Sequence, residues 1–131
     1  MTLELKEEDF QAKVLDSTTK PVVVKVWASR CHHCKTLEPI YKASAEDLKS
    51  KADFYQLKGD DNMALVKSLK IMGVPTLLFY SHGVLITKKS GVRSQKAISK
   101  ILDPLFTYSK EDAEANIHRG FFKRIFGTRS R

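Results

Sequence analysis

Cysteine is scarce in this chain, with two in 131 residues, and neither a second C-x-x-C nor an H-x₃₋₅-H segment accompanies the pair. That excludes a disulfide framework and leaves nothing to complete a zinc site of the usual two-segment kind. Long apolar runs are missing as well. None approaches the roughly twenty residues that cross a bilayer, so a soluble protein is the expectation. The N-terminus, Met1-Thr2-Leu3-Glu4-Leu5-Lys6-Glu7-Glu8-Asp9-Phe10, has neither the basic nor the apolar region of a secretory signal. Cytoplasm is therefore the expected compartment, where thiols rest mainly reduced. Acids are absent after Glu114, while Arg119, Lys123, Arg124, Arg129 and Arg131 follow, so the formal charge of +8 is unevenly spread. Net charge speaks to association and not to fold, which makes the basic excess a question about the tail.

What is present suffices for one domain. At 131 residues and 42% hydrophobic content the chain can build a core without metals or cross-links. Leu3 and Leu5 alternate with polar residues as in a short strand, and Phe10, Val14 and Leu15 lie at helical spacing over 7–15. Val22 to Trp27 is β-branched and apolar except at Lys25, as expected of a central strand buried on both faces. Leu37, Ile40, Tyr41 and Leu48 mark a helix from Cys34 to about Lys49, whose stripe is interrupted by Pro39, a residue that lacks an N–H and should kink it. Phe54 to Leu57 reads as a third strand. Asp60, Asp61 and Asn62 offer caps for a helix carrying Leu65, Val66 and Leu69, which Gly73 stops. Thr76–Tyr80 and Val84–Thr87 read as a hairpin joined through Ser81-His82-Gly83. Ser94 caps a final helix whose Ala97, Ile98, Ile101, Leu102 and Leu105 share a face. One parallel crossover half plus one hairpin half predicts an α/β fold, a mixed β-sheet with helices on both faces.

The chemistry lies in Cys31-His32-His33-Cys34. A C-x-x-C behind a buried strand and ahead of a helix is a redox signature. If Cys31 opens the helix, its thiolate meets unpaired backbone N–H groups and the positive end of the helix dipole, which lower its pKa. Cys31 is then the nucleophile, and Cys34, one turn further in, resolves the mixed disulfide. Four consecutive residues on one turn cannot all face one metal, so no metal is assigned. A bridge across so short a loop also removes little entropy from the unfolded chain, which argues against a purely structural disulfide.

Over roughly residues 1–106 the chain resembles the thioredoxin family. Trp27-Ala28-Ser29-Arg30-Cys31-His32-His33-Cys34-Lys35 is similar to its W-A-x-W-C-G-P-C-K segment. Pro39 falls at its kink proline, Gly73-Val74-Pro75-Thr76 at its cis-proline loop, and Gly91 at a late glycine of the pattern. The resemblance implies a thioredoxin fold and thiol-disulfide exchange with protein clients, using no cofactor beyond the redox-active pair Cys31–Cys34. It also implies an electron donor such as a thioredoxin reductase, a cis Pro75, and a substrate groove formed by Trp27, the Val74 backbone and Pro75.

Three departures from the family pattern tune that expectation. His32-His33 replaces Gly-Pro, and His33 falls where the family's disulfide isomerases and oxidases carry a histidine. An imidazole there stabilises the thiolate and makes the centre more oxidising than thioredoxin. His32 either adds to this effect or faces water. Lys25 stands where thioredoxins bury a proton-shuttling carboxylate; it serves as a neutral amine, favours the thiolates as an ammonium, or snorkels to solvent. Arg30 replaces an exposed tryptophan, keeping a cation near Cys31 and losing an apolar platform.

Residues 107–131 extend past the resemblance. Ser109 and Asp112 fit a capping box for a helix from Lys110 to about Arg119, ended by Gly120. Phe121-Phe122-Lys123-Arg124-Ile125-Phe126 then alternates apolar and basic pairs. Residues 117–131 either dock on an anionic membrane surface or a partner protein, or fold back onto the domain; nucleic acid is the contact least supported. The competing class for the whole chain is a binding module in which the fold and tail scaffold a partner.

Overall fold

The computed structural model describes residues 2–118. Five strands form one sheet in the order β1-β3-β2-β4-β5, with β1 Thr2–Leu5, β2 Val22–Trp27, β3 Asp53–Lys58, β4 Thr76–Ser81 and β5 Val84–Ser90. The β1–β3 and β3–β2 pairs are parallel, whereas β2–β4 and β4–β5 are antiparallel, giving the mixed sheet that the sequence predicts. The valine run becomes the central strand because it can be buried on both sides. Val22, Val24 and Val26 join Leu5, Phe10, Val14, Leu57, Leu78 and Tyr80 in one core layer. Val23 joins Leu37, Tyr41, Phe54, Leu77, Phe79 and Ile98 in the other. Each such side chain contributes about 1.5–3 kcal/mol on leaving water.

Helices cover both layers. α1 (His32–Asp47) and α3 (Gln95–Leu102) supply Leu37, Tyr41, Ala45, Ile98 and Leu102 to one face, and α2 (Met63–Ser68) lies against the other through Leu65 and Val66. Ser94 caps α3 by accepting from Ala97 N at 3.1 Å. Ser109 and Asp112 form the expected capping box of α4 (Lys110–Ala115).

Five local expectations change. Residues 7–15 form a 3₁₀ turn over Glu7–Asp9 and a π turn over Gln11–Leu15, closed by Asp16 N donating to Gln11 O at 2.8 Å. The wider turn still buries Phe10 and Val14. Asn62 stands at the start of α2 without capping it. Its Oδ1 accepts from Glu7 N at 2.9 Å and its Nδ2 donates to Lys58 O at 2.8 Å, so this buried amide ties the segment after β1 to the end of β3. α2 ends before Gly73, at Ser68. Lys70 adopts φ 55°, and the Lys88 ammonium donates to the carbonyls of Leu69 and Lys70 at 3.2 and 2.9 Å. Finally, α4 stops at Ala115, and Leu105 reaches the core from a 3₁₀ turn (Asp103–Thr107), because Pro104 has no N–H with which to continue α3. The docking reading of the tail falls mostly on residues 119–131, outside the described residues.

Candidate redox site

The parallel and antiparallel registers bring three chain segments to one end of the sheet. β2 leaves the sheet at Trp27, opposite Lys58 of β3, and Val26 faces Thr76 of β4. The turn into α1 and the loop before β4 therefore open at the same end. Thr76 in turn pairs with Ser90, and Gly91 N donates to Pro75 O at 2.9 Å, which adds the end of β5 to the same rim.

Cys31 is the N-cap of α1, and its Sγ accepts from Cys34 N at 3.1 Å. The sulfur thus occupies the place of a capping oxygen, against the unpaired N–H groups of the first turn and the positive end of the helix dipole. α1 begins at His32, two residues before the expected Cys34, because Cys31 takes the cap. Cys31 and Cys34 are joined as a disulfide. Cys31 is half-buried, whereas Cys34 is only 4% exposed. His32 and His33 are exposed on the first turn, their rings edge to face at 5.7 Å. Arg30 is exposed beside them. The Val74–Pro75 bond is cis, as the resemblance implies. Trp27 is half-buried, its indole N–H donating to Glu4 Oε2 at 3.3 Å. Ser29 is fixed by Asp60. Its backbone N–H and its side chain both donate to that carboxylate, which holds Asp60 below the usual carboxylate range.

Lys25 does not snorkel. It is 1% exposed, and its Nζ donates to Glu38 Oε1 at 2.9 Å. The strand's alternation points Lys25 to the same face as Val23, under α1, where its stem runs beside Tyr41 and its charge lies 5.1 Å from that ring's centroid. The Tyr41 hydroxyl donates to Tyr55 O at 2.6 Å, and burial pushes its pKa up. Glu38 was the missed residue. It lies four residues after Cys34, hence one turn further along the same helix face, and a recess of about 210 Å³ is lined by Trp27, Ala28, Ser29, Cys34, Lys35 and Glu38. Lys25 is not in that lining, but its Nζ holds the Glu38 carboxylate that is. A carboxylate therefore stands beside Cys34 after all, carried by the helix and balanced by the strand's lysine. Met72, 96% exposed in the loop before Pro75, is a second missed feature, an apolar side chain on the rim despite the arginine at position 30.

The thioredoxin sequence model matches residues 1–104. The chain belongs to the thioredoxin family. Thioredoxins of Staphylococcus aureus strains Mu50, MW2 and N315 are 28% identical over 101 residues, covering 77% of this chain and 94% of each relative. The mixed five-stranded sheet with helices on both faces is the thioredoxin fold, and the cysteine pair on a helix N-terminus makes the protein a thiol–disulfide oxidoreductase acting on protein thiols. Among the described residues no helix is long and apolar enough to cross a membrane.

The Lys25–Glu38 pair gives an asymmetric expectation. Removing one partner of a buried pair strands the other charge at about 3–5 kcal/mol. Glu38 is 44% exposed, and solvent screening reduces that cost, so we expect Glu38→Gln to lose about 1–3 kcal/mol in urea unfolding. Lys25→Met keeps the stem's packing and removes the buried charge, and its loss should be smaller. The hydrogen bond from Lys25, the largest influence, sets the Glu38 carboxyl below its ordinary range. The pair's contribution is then present at neutral pH and lost as pH falls through the lowered Glu38 value. Unfolding midpoints measured from pH 7 down to 3 should fall less steeply in Lys25→Met than in the unsubstituted protein.

Proposed function

We propose that the protein exchanges a dithiol for a disulfide with protein clients, with Cys31 as the attacking thiolate and Cys34 as the resolving thiol, at a potential more oxidising than that of ordinary thioredoxin. Cys31 attacks one sulfur of a client disulfide. The client S–S bond breaks, a Cys31–client mixed disulfide forms, and the released client thiolate takes up a proton. Cys34 then loses its proton and attacks Cys31 Sγ, freeing the second client thiol and closing the Cys31–Cys34 bond. Two electrons pass from the dithiol to the client.

The observation that carries this reading is the seat of Cys31 Sγ at the α1 N-cap, half-exposed, with Cys34 buried one turn behind it. A thiolate at that seat is stabilised by the first-turn N–H groups, and His33 in the same turn adds a hydrogen-bonding or cationic group to the reduced state. Stabilising the thiolate raises the potential. We expect redox titration against glutathione to place the centre between about −270 and −180 mV, the values of thioredoxin and of disulfide isomerase. His33→Pro should move it toward the lower figure. A potential at or below that of thioredoxin, unchanged in His33→Pro, would remove His33 from the account. A cytoplasmic setting and a reductase as electron donor favour net reduction; His33 favours oxidation, and the measured potential decides between them.

A further inference from the structure

From Asn62 through Leu102 the sequence contains no aspartate or glutamate, and from Ser17 through Leu37 it contains none either. Those two stretches supply both walls of the opening around Cys31. The first wall is the turn into α1, where Arg30, His32, His33 and Lys35 are exposed. The second is the loop before β4 together with the residues after β5, which the bond from Gly91 N to Pro75 O holds side by side. Lys70 precedes that loop and is exposed; Arg93 follows Gly91 by two residues, its Nη2 donating to Ser90 O at 3.0 Å.

Acids do occur at this end of the sheet. Glu38 of α1 shares the recess with Cys34, and its charge is met by Lys25 at 2.9 Å and Lys42 at 3.8 Å; the others lie on the opposite side. Glu4 of β1 and Asp60 and Asp61 after β3 lie across β2 from β4 and β5. They are also engaged: Glu4 with the Trp27 indole, Asp60 with Ser29, Asp61 with Lys58 at 3.7 Å. Among the described residues no ion pair joins Arg30, Lys35, Lys70 or Arg93 to a carboxylate. The rim therefore has unbalanced positive charge on the side where a peptide would run along Val74. Met72 and Val92, 96% and 37% exposed, give the same rim an apolar contact without adding charge.

We propose that this rim selects clients whose cysteines are flanked by aspartate or glutamate, bound as an extended anionic peptide between Arg30 on one wall and Arg93 on the other. The inference rests on the oxidoreductase reading and names its client class. Rim charges act mainly by steering encounter and rejecting like-charged partners, and they are screened beyond about 8 Å at physiological salt. The selection therefore belongs in the second-order rate constant and should fade with added salt.

Three matched peptide disulfides decide it, differing only in whether Glu, Gln or Lys flanks the cysteine, each reduced by the full-length dithiol protein. At low salt the Glu peptide should react about tenfold or more faster than the Lys peptide, with the Gln peptide between, and about 0.5 M salt should bring all three within about twofold. Arg93→Glu should cut the Glu-to-Lys ratio several-fold, whereas Lys110→Glu, the same charge change on α4, should leave it near its starting value. Equal rates on the three peptides at low salt would overturn the selection while leaving the oxidoreductase standing. An equal fall of the ratio in Lys110→Glu would reduce it to an effect of net charge and overturn the role of the rim. Failure to reduce even the Gln peptide would overturn the oxidoreductase reading, and this proposal with it.

Discussion

Cys31→Ser should abolish disulfide reduction, by on the order of a thousandfold or more, whereas Cys34→Ser should carry out the first attack at close to the full rate and then stop. The difference follows from where the two sulfurs sit. Cys31 is half-exposed at the helix N-cap, so it can reach a client sulfur and is stabilised as the thiolate that reacts. Cys34 is 4% exposed and turned toward the recess it shares with Glu38, and no folded client can reach it first. Once Cys31 is bonded to a client, however, Cys34 is its neighbour by covalent geometry, one helical turn away. Without it, the mixed disulfide has no intramolecular exit. Mass spectrometry of Cys34→Ser incubated with an oxidised peptide should show one peptide bound per protein, released by dithiothreitol, and steady-state turnover should be lost. If Cys31→Ser captured the peptide instead, the order of attack would be reversed. A double Cys31→Ser, Cys34→Ser protein that retained its biological activity would favour the scaffold reading over the enzyme.

The alternation of the sequence made most of the sheet legible, because a strand buried on both faces has few other ways to read. Val22 to Trp27 was such a case, and Leu77 to Tyr80 another, each placing successive residues in opposite core layers. The Cys31 cap was also legible, since a thiol just ahead of a helical stripe can take the place of a capping hydroxyl. Helix ends were less so. α2 stops at Ser68 because Lys88, twenty residues on in the next hairpin, takes the carbonyls of Leu69 and Lys70, a partnership that no local pattern announces. The same limit applied to Lys25. Read along its strand, a lysine in a valine run has no visible partner, so a neutral amine, an ammonium favouring the thiolates and a snorkelling side chain all stay open. The structure supplies Glu38, from the helix packed above it, as the partner of Lys25. Its spacing of four from Cys34 was the available signal, visible only if the helix is read for what faces the strand below.

Gly83→Ala should be the most damaging alanine substitution among the described glycines, at about 3–5 kcal/mol by summing strained backbone with overpacking. β4 ends at Ser81 and β5 begins at Val84, so the hairpin turns on two residues, His82 and Gly83. Both have positive φ, 51° and 77°, the pattern of the turn whose twist matches two antiparallel strands. His82 tolerates this because its Nε2 lies 2.8 Å from Tyr108 O, a hydrogen bond that draws its ring against the segment after α3. Gly83 has no such latitude. A Cβ there would sit 2.1 Å from the Leu15 carbonyl oxygen, a backbone atom at the end of the π turn, which cannot swing aside as a side-chain tip could. Relief requires moving either the hairpin or the 7–15 segment, and both bury core residues: Tyr80 and Leu85 on one side, Phe10 and Val14 on the other. The consequence reaches the redox centre through the register. Pro75 immediately precedes β4 and Gly91 immediately follows β5, so a hairpin that slips by even one residue misplaces the wall facing Cys31. Urea unfolding of Gly83→Ala should show the stability loss, and client reduction should fall at temperatures where the protein is still mostly folded. A loss below about 1 kcal/mol would mean that Leu15 yields freely and that the turn is not the rigid joint described.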